Sequence, residues 1–216
     1  MKKPVYEICL DGNCFFREIL VEFDFYGRDS KESISHSIES LHKNYNKKNK
    51  QSKILEVSTK GNDLGKKLSA FNLSVPNAKN VKITVESLFQ GSKVFEYGGP
   101  YQELYFEPSF IAKKDIRLKN SGDIIGFKYF SRFFENEPTT YFYDWLYINS
   151  LYLNKELIKE VIKYKTFSDI EFNNNKSKNC QAKSLALFVS LYCRGILEEV
   201  IADKELLKVI LYLNDK

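Results

Sequence analysis

Between Thr84 and Phe95 the chain reads Thr-Val-Glu-Ser-Leu-Phe-Gln-Gly-Ser-Lys-Val-Phe, with apolar and reactive polar side chains interleaved at helical spacing. At about 100° per residue, Glu86, Gln90 and Lys93 fall within about 60° of one another, and Val85, Leu88, Phe89 and Phe95 form the neighbouring apolar stripe. The spacing predicts a helix over 84–95, stopped by Gly98-Gly99-Pro100. An amphipathic helix must bury its stripe against another element, so this segment commits the chain to a layered core with a carboxylate, an amide and an amine along its rim. With Thr84 as N-cap, Glu86 stands in the first turn, where unpaired N–H groups and the helix dipole favour a carboxylate or a bound phosphate. Lys93 lies among Phe89, Val94 and Phe95, where partial burial lowers an amine's pKa and makes it more nucleophilic. Periodicity alone favours the plainer reading, a Glu–Lys surface helix that has an ordinary apolar face.

A chain of 216 residues, 43% of them hydrophobic, can bury a sizeable core as one domain, or as one domain with an appended segment. Its 17 Phe and 14 Tyr are chiefly core filler, although they also permit pockets that stack a planar base. A net charge of +5 suits a polyanionic partner but falls short of the concentrated basicity of a dedicated nucleic-acid binder. Cys9, Cys14, Cys180 and Cys193 form no C-x-x-C pair and the histidines are His36 and His42, so neither a metal site nor a cofactor is expected. Met1-Lys2-Lys3-Pro4 leads into no sustained apolar run, and no window approaches a membrane span. A soluble, cytoplasmic protein with reduced thiols and no membrane partner is the expectation.

Two β-favouring runs, Val5 to Leu10 and Phe15 to Phe25, flank the turn Asp11-Gly12-Asn13 and predict a hairpin or two edge strands. A helix is expected from Ser30 to about Lys43. It is followed by the basic run 43–53, read as an exposed connector whose Tyr45 is available to stack on a base. A strand over Ile54–Ser58 precedes the loop Thr59–Lys67. That loop departs from a P-loop in having three residues between Gly61 and Gly65 and no Ser or Thr after Gly65-Lys66. Helices are expected over Ser109–Leu118, Tyr141–Leu153, Lys155–Tyr164 and Gln181–Tyr192. The polar loop Asn173–Asn179 precedes the last of these, and a final amphipathic segment runs from Ile196 to Leu213. The sum is an α+β chain, mainly helical after residue 84, with its strand-rich part towards the N-terminus.

The segment Val85–Phe95 resembles the signature helix of the NADAR (YbiA-like) family, in which Glu, an aromatic-Gln pair and Lys recur at this spacing. Leu68-Ser69-Ala70-Phe71 resembles the family's Ser-Asn-Phe loop, and Asp144-Trp145 its central Trp motif. Asp169, followed by the helix around Gln181, Ser184, Leu185 and Leu187, resembles its C-terminal Asp and closing helix. The agreement runs in order over roughly residues 66–195. Ala70 replaces the usual Asn, and Phe167-Ser168 stands where relatives often carry Trp-Gly.

The resemblance implies a NADAR-like catalytic domain over 61–216 with a strand and helix extension over 1–60 packed on it. It implies an N-glycosidase, of the branch accompanying DarT-type toxins, that removes ADP-ribose from modified guanine in DNA and so acts as the antitoxin. Glu86, Lys93 and Asp169 are the catalytic residues so implied, and Ser69, Phe71, Asn72, Gln90, Trp145 and Gln181 the substrate-binding ones. Bond cleavage at ribose C1 builds oxocarbenium character that a carboxylate stabilises. Two routes are open: Glu86 activates water while Asp169 holds the ribose hydroxyls, or Lys93 forms a Schiff base with ring-opened ribose while Glu86 moves protons. Trp145 reads either as a purine-stacking residue or as core, and Asp169 also fits a turn aspartate. Arg117, Arg132 and Lys128 are possible pyrophosphate ligands that no spacing selects. The competing functions are a non-catalytic antitoxin that binds the toxin directly and an N-glycosidase acting on a small riboflavin-pathway metabolite.

Overall fold

The computed structural model describes residues 1–49, 51–76, 81–173 and 177–213. Lys50 of the basic run and Asn174–Lys176 of the polar loop lie outside the described residues. In chain order the first elements are β1 (Lys2–Ile8), β2 (Phe16–Glu22), α1 (Lys31–Lys48), β3 (Ile54–Glu56), α2 (Asp63–Leu68), β4 (Ser74–Val75), β5 (Ile83–Thr84), α3 (Val85–Gly91) and β6 (Lys93–Phe95). There follow α4 (Ser109–Lys114), α5 (Arg117–Asn120), β7 (Ile124–Tyr129), β8 (Arg132–Glu135), α6 (Tyr141–Tyr152), α7 (Lys155–Val161), β9 (Thr166–Ser168), α8 (Gln181–Cys193), α9 (Leu197–Ala202) and α10 (Lys204–Lys208). The architecture is α+β, divided into two compact units: Met1–Ser69 with Glu156–Ala202, and Ala70–Lys155 with Asp203–Lys216.

The first unit is built on a four-stranded sheet in the order β2-β1-β9-β3, in which β1 is antiparallel to β2 and β9, and β3 runs parallel to β9. The predicted hairpin is present. Its turn is gripped by Arg194, whose guanidinium donates to the carbonyls of Cys9, Asp11, Gly12 and Cys14 and lies 4.3 Å from the Phe15 ring. Val5, Val21, Phe23, Leu41, Tyr45 and Ile170 close the core between sheet and α1. The helix predicted to end near Lys43 continues to Lys48, because Tyr45 is fully buried in that core and donates to the Glu7 carboxylate. Tyr45 therefore packs inward and is not available to stack on a base. The loop predicted over 59–67 contains α2, capped by Asn62 on the Gly65 N–H at 2.9 Å. A Cβ at Gly61 or Gly65 would lie 2.3 or 1.9 Å from the Glu56 carbonyl oxygen. Close backbone packing against Glu56 is thus what both glycines serve there.

The second unit holds the antiparallel sheet β6-β7-β8, the short pair β4-β5, and α3, α4 and α6. Phe89, Phe127, Phe134, Phe142 and Trp145 form an aromatic core in which Phe89, Phe127 and Phe142 stack and Phe134 is tilted against Phe142 and Trp145, with Phe127 and Phe142 centroids 4.6 Å apart. This sheet went unread in the sequence. The segment predicted as one helix from 84 to 95 is helical to Gly91 and then becomes strand β6, paired with β7. The predicted helix over Ser109–Leu118 breaks at Asp115 into α4 and α5. The segment 196–213 breaks at Asp203, where Asp203 caps α10.

Candidate active site

Thr84 caps α3, accepting from the Ser87 N–H at 3.1 Å. The other leading N–H groups are also engaged, Val85 N with the Leu73 carbonyl and Glu86 N with the Ala70 carbonyl, each at 2.9 Å. The helix start is therefore no open anion cradle. It is used to fix residues 70–73 instead. A buried hydroxyl chain ties in α4: Ser87 Oγ to Thr84 Oγ1 (2.8 Å), Thr84 Oγ1 to Ser109 Oγ (2.7 Å), and Ser109 Oγ donating to the Phe71 carbonyl (2.9 Å). Because Ser109 is held against α3, Lys113, one turn further along α4, is brought to the same face. Ser109→Ala leaves buried oxygens of this chain short of a partner and is expected to cost about 1–2 kcal/mol of unfolding free energy, measured by urea titration.

All seven residues of α3 are buried, Glu86 and Gln90 included. Gln90 Nε2 donates to Glu86 Oε1 at 2.9 Å, and Gln90 Oε1 accepts from Lys93 Nζ at 2.7 Å. A flipped amide would set its oxygen against the carboxylate and its NH2 against the amine, so the two neighbours fix its orientation and it fixes theirs. Lys93 reaches this position from β6 because Ser92 keeps a helical backbone (φ −85°, ψ −12°) before the chain extends. Gly91 permits the turn, since a Cβ there would lie 2.7 Å from the Tyr105 ring and 2.9 Å from the Tyr101 carbonyl oxygen. The ammonium also lies 4.9 Å from the Phe89 ring centroid.

Burial pulls the Lys93 pKa down to about 8, with the Lys113 charge adding to the fall and Glu86 opposing it. Near neutral pH roughly a tenth of such a group is free amine, against well under a thousandth for an ordinary lysine. Lys113, half exposed, stands 3.5 Å from Glu86 Oε1 and 4.9 Å from the Phe71 ring centroid. Sequence reading passed over Lys113, and its Ser109-x-x-x-Lys113 spacing was the signal that both residues share a face. Lys113→Met removes a like charge and is expected to move the Lys93 pKa upward, read as an upward shift of the acid limb of the pH–rate profile.

The structure brings Glu86, Gln90 and Lys93 together with Phe71 and Lys113. Asn72 accepts from Lys82 Nζ at 3.2 Å. Trp145 is buried between Tyr129, Phe134 and Phe142, and its indole N–H has no hydrogen-bond partner among the described residues. Arg117 is held by Asp115 and Glu103 at 2.8 and 2.5 Å. In the first unit Ser69 Oγ donates to the Lys66 carbonyl, closing α2. Asp169 and Gln181 meet there: the buried Asp169 carboxyl accepts from the Glu171 and Phe172 N–H groups at 3.0 and 3.1 Å and from the Gln181 side chain. Burial, with Glu56 and Glu171 near, raises the Asp169 pKa well above the carboxylate range. Glu56 is itself buried and raised, accepting from Ser168 Oγ (2.6 Å) and the Ile170 N–H (2.8 Å). His42, whose Nε2 lies 2.8 Å from Ser168 Oγ, is held neutral by burial, with its pKa lowered to about 4. Among the described residues no three His, Cys, Asp or Glu side chains are grouped to hold a metal ion, and no helix is long and apolar enough to cross a membrane.

Fold and site together define an α+β protein whose second unit carries a buried lysine–amide–carboxylate chain. The chain matches the family described as DarT1-associated NADAR antitoxin over residues 1–216, and it belongs to that family. Its general role is accordingly that of an antitoxin associated with DarT1. A comparison with curated proteins finds no match.

Proposed function

We propose that this chain is an N-glycosidase that releases ADP-ribose from ADP-ribosylated guanine in DNA and so reverses the action of a DarT-type toxin. The observation that carries the reading is the Glu86–Gln90–Lys93 chain, in which a partly neutral amine is held beside a buried carboxylate without being paired directly to it. A direct ion pair would stabilise the ammonium and suppress attack, whereas the interposed amide orients Lys93 Nζ through a neutral acceptor.

In this mechanism the ribose ring opens, leaving an imine between C1 and the guanine nitrogen. Lys93 Nζ adds to C1, the C1–guanine bond breaks as the base nitrogen takes a proton, and a Schiff base to Lys93 remains. Water then adds to C1 and the C1–Nζ bond breaks, returning the amine and releasing ADP-ribose. Glu86 accepts the proton lost by the attacking nitrogen and hands it to the departing base nitrogen; in the second half it accepts the proton of the attacking water and returns it to Lys93 Nζ as the C1–Nζ bond breaks. Gln90 is a positioning residue, and Phe71 and Lys113, which stand beside Glu86 in the same unit, are assigned to substrate contact.

Release of ADP-ribose from a modified oligonucleotide by the purified chain, with no toxin present, tests the reading. Release supports it. A preparation that binds the toxin tightly but releases nothing would replace it with direct neutralisation, and release from a free nucleotide alone would point to a small-metabolite substrate.

A further inference from the structure

In the first unit a cavity of about 370 Å³ opens among Tyr6 of β1, Phe16 and Glu18 of β2, Phe172, Lys178, and Lys183 in the first turn of α8. Its aromatic walls are held by contacts with the sheet and with Asp169. Phe16 sits at the paired end of the hairpin, edge-on to Tyr6 with centroids 6.0 Å apart. Phe172 is held from both sides: its N–H donates to the Asp169 carboxylate at 3.1 Å, and its carbonyl accepts from Lys3 Nζ. The Lys183 ammonium lies 5.7 Å from the Phe16 ring centroid.

Three features converge on one chemistry. Aromatic walls offer faces and edges to a planar ring. Two lysines, Lys178 and Lys183, line one side and favour an anion. The Glu18 carboxylate, beside the Tyr6 hydroxyl, adds an acceptor for an amino or hydroxyl group. We propose that this cavity binds a nucleoside 5′-phosphate, with the base against Phe16 and Phe172 and the phosphate on Lys178 and Lys183. The ligand is either a free nucleotide or one unit of a nucleic-acid strand.

Calorimetric titration of the full chain with AMP, and separately with a short single-stranded DNA, tests the site. Phe16→Ala is expected to weaken binding about tenfold by removing a stacking face. Lys183→Glu and the exposed Lys178→Glu are expected to weaken it by a similar factor and to flatten its salt dependence. Lys93→Met is expected to leave cavity binding unchanged while turnover is lost, so failure of this site and failure of the glycosidase reading are separate results. Saturation by AMP identifies a free nucleotide, and saturation by the strand alone identifies a polymer unit. No saturation by either at millimolar concentration, or binding indifferent to all three cavity substitutions, overturns the proposal.

Discussion

Lys93→Met is expected to lower ADP-ribose release by about 10⁴-fold or more, the scale of loss when a covalent nucleophile is removed. The fold is expected to survive. Met replaces a mostly buried ammonium with an apolar side chain of similar length, and the contacts of Lys93 with Gln90 and the Phe89 ring are local. A linked effect on stability identifies the same group. Because the folded pKa lies near 8 and the ordinary value is 10.5, the unfolded chain binds more protons at pH values between them. Wild-type stability therefore carries a component that rises with pH from about 8 towards 10.5, and the Met variant lacks it. Denaturant midpoints measured across that range, beside the rate, distinguish loss of the amine from loss of structure.

Glu86→Gln is the second large effect, an expected fall of about 10²–10⁴-fold in turnover. The replacement is nearly isosteric and can still accept from Gln90 Nε2, so the amide bridge to Lys93 persists. It removes the charge that holds the Lys93 pKa up, so the amine becomes neutral at lower pH. The variant would thus lose activity while gaining free amine. Loss under those conditions isolates proton transfer and charge stabilisation by the carboxylate as its contribution. The acid limb should move to lower pH, opposite to the shift expected for Lys113→Met. Parallel shifts in the two variants would contradict the electrostatics of the site.

Local spacing made the centre of this site legible and hid its surroundings. Thr84, Glu86 and Gln90 were placed by helix periodicity and capping, which depend on neighbours three or four residues away. Lys93 was placed on the correct side for a partly different reason: the backbone stays helical through Ser92 before β6 begins. The end of α3 was not legible because β6 exists by pairing with Ile124–Phe127, some thirty residues on. Strands β7 and β8 escaped notice for a related reason. Gly126 interrupts the β-favouring run, and its need for close approach, a Cβ 2.5 Å from the Phe133 ring, is visible once the sheet is formed. Asn44, Asn46 and Lys47 disguised the last turns of α1 as a connector, whereas burial of Tyr45 decides the helix. Lys113 was missed because α4 meets α3 through the Thr84 and Ser109 hydroxyls, a contact between segments some twenty-five residues apart.

The central claim is covalent catalysis by Lys93, and the most direct measurement is a borohydride quench of the enzyme during turnover of ADP-ribosylated oligonucleotide, followed by mass analysis of the protein and its peptides. A mass increase equal to a reduced ADP-ribosyl adduct, located on the peptide containing Lys93 and absent from Lys93→Met, is the predicted result. Rapid release of ADP-ribose with no adduct trapped at any time point, or an adduct that persists in Lys93→Met, would contradict it.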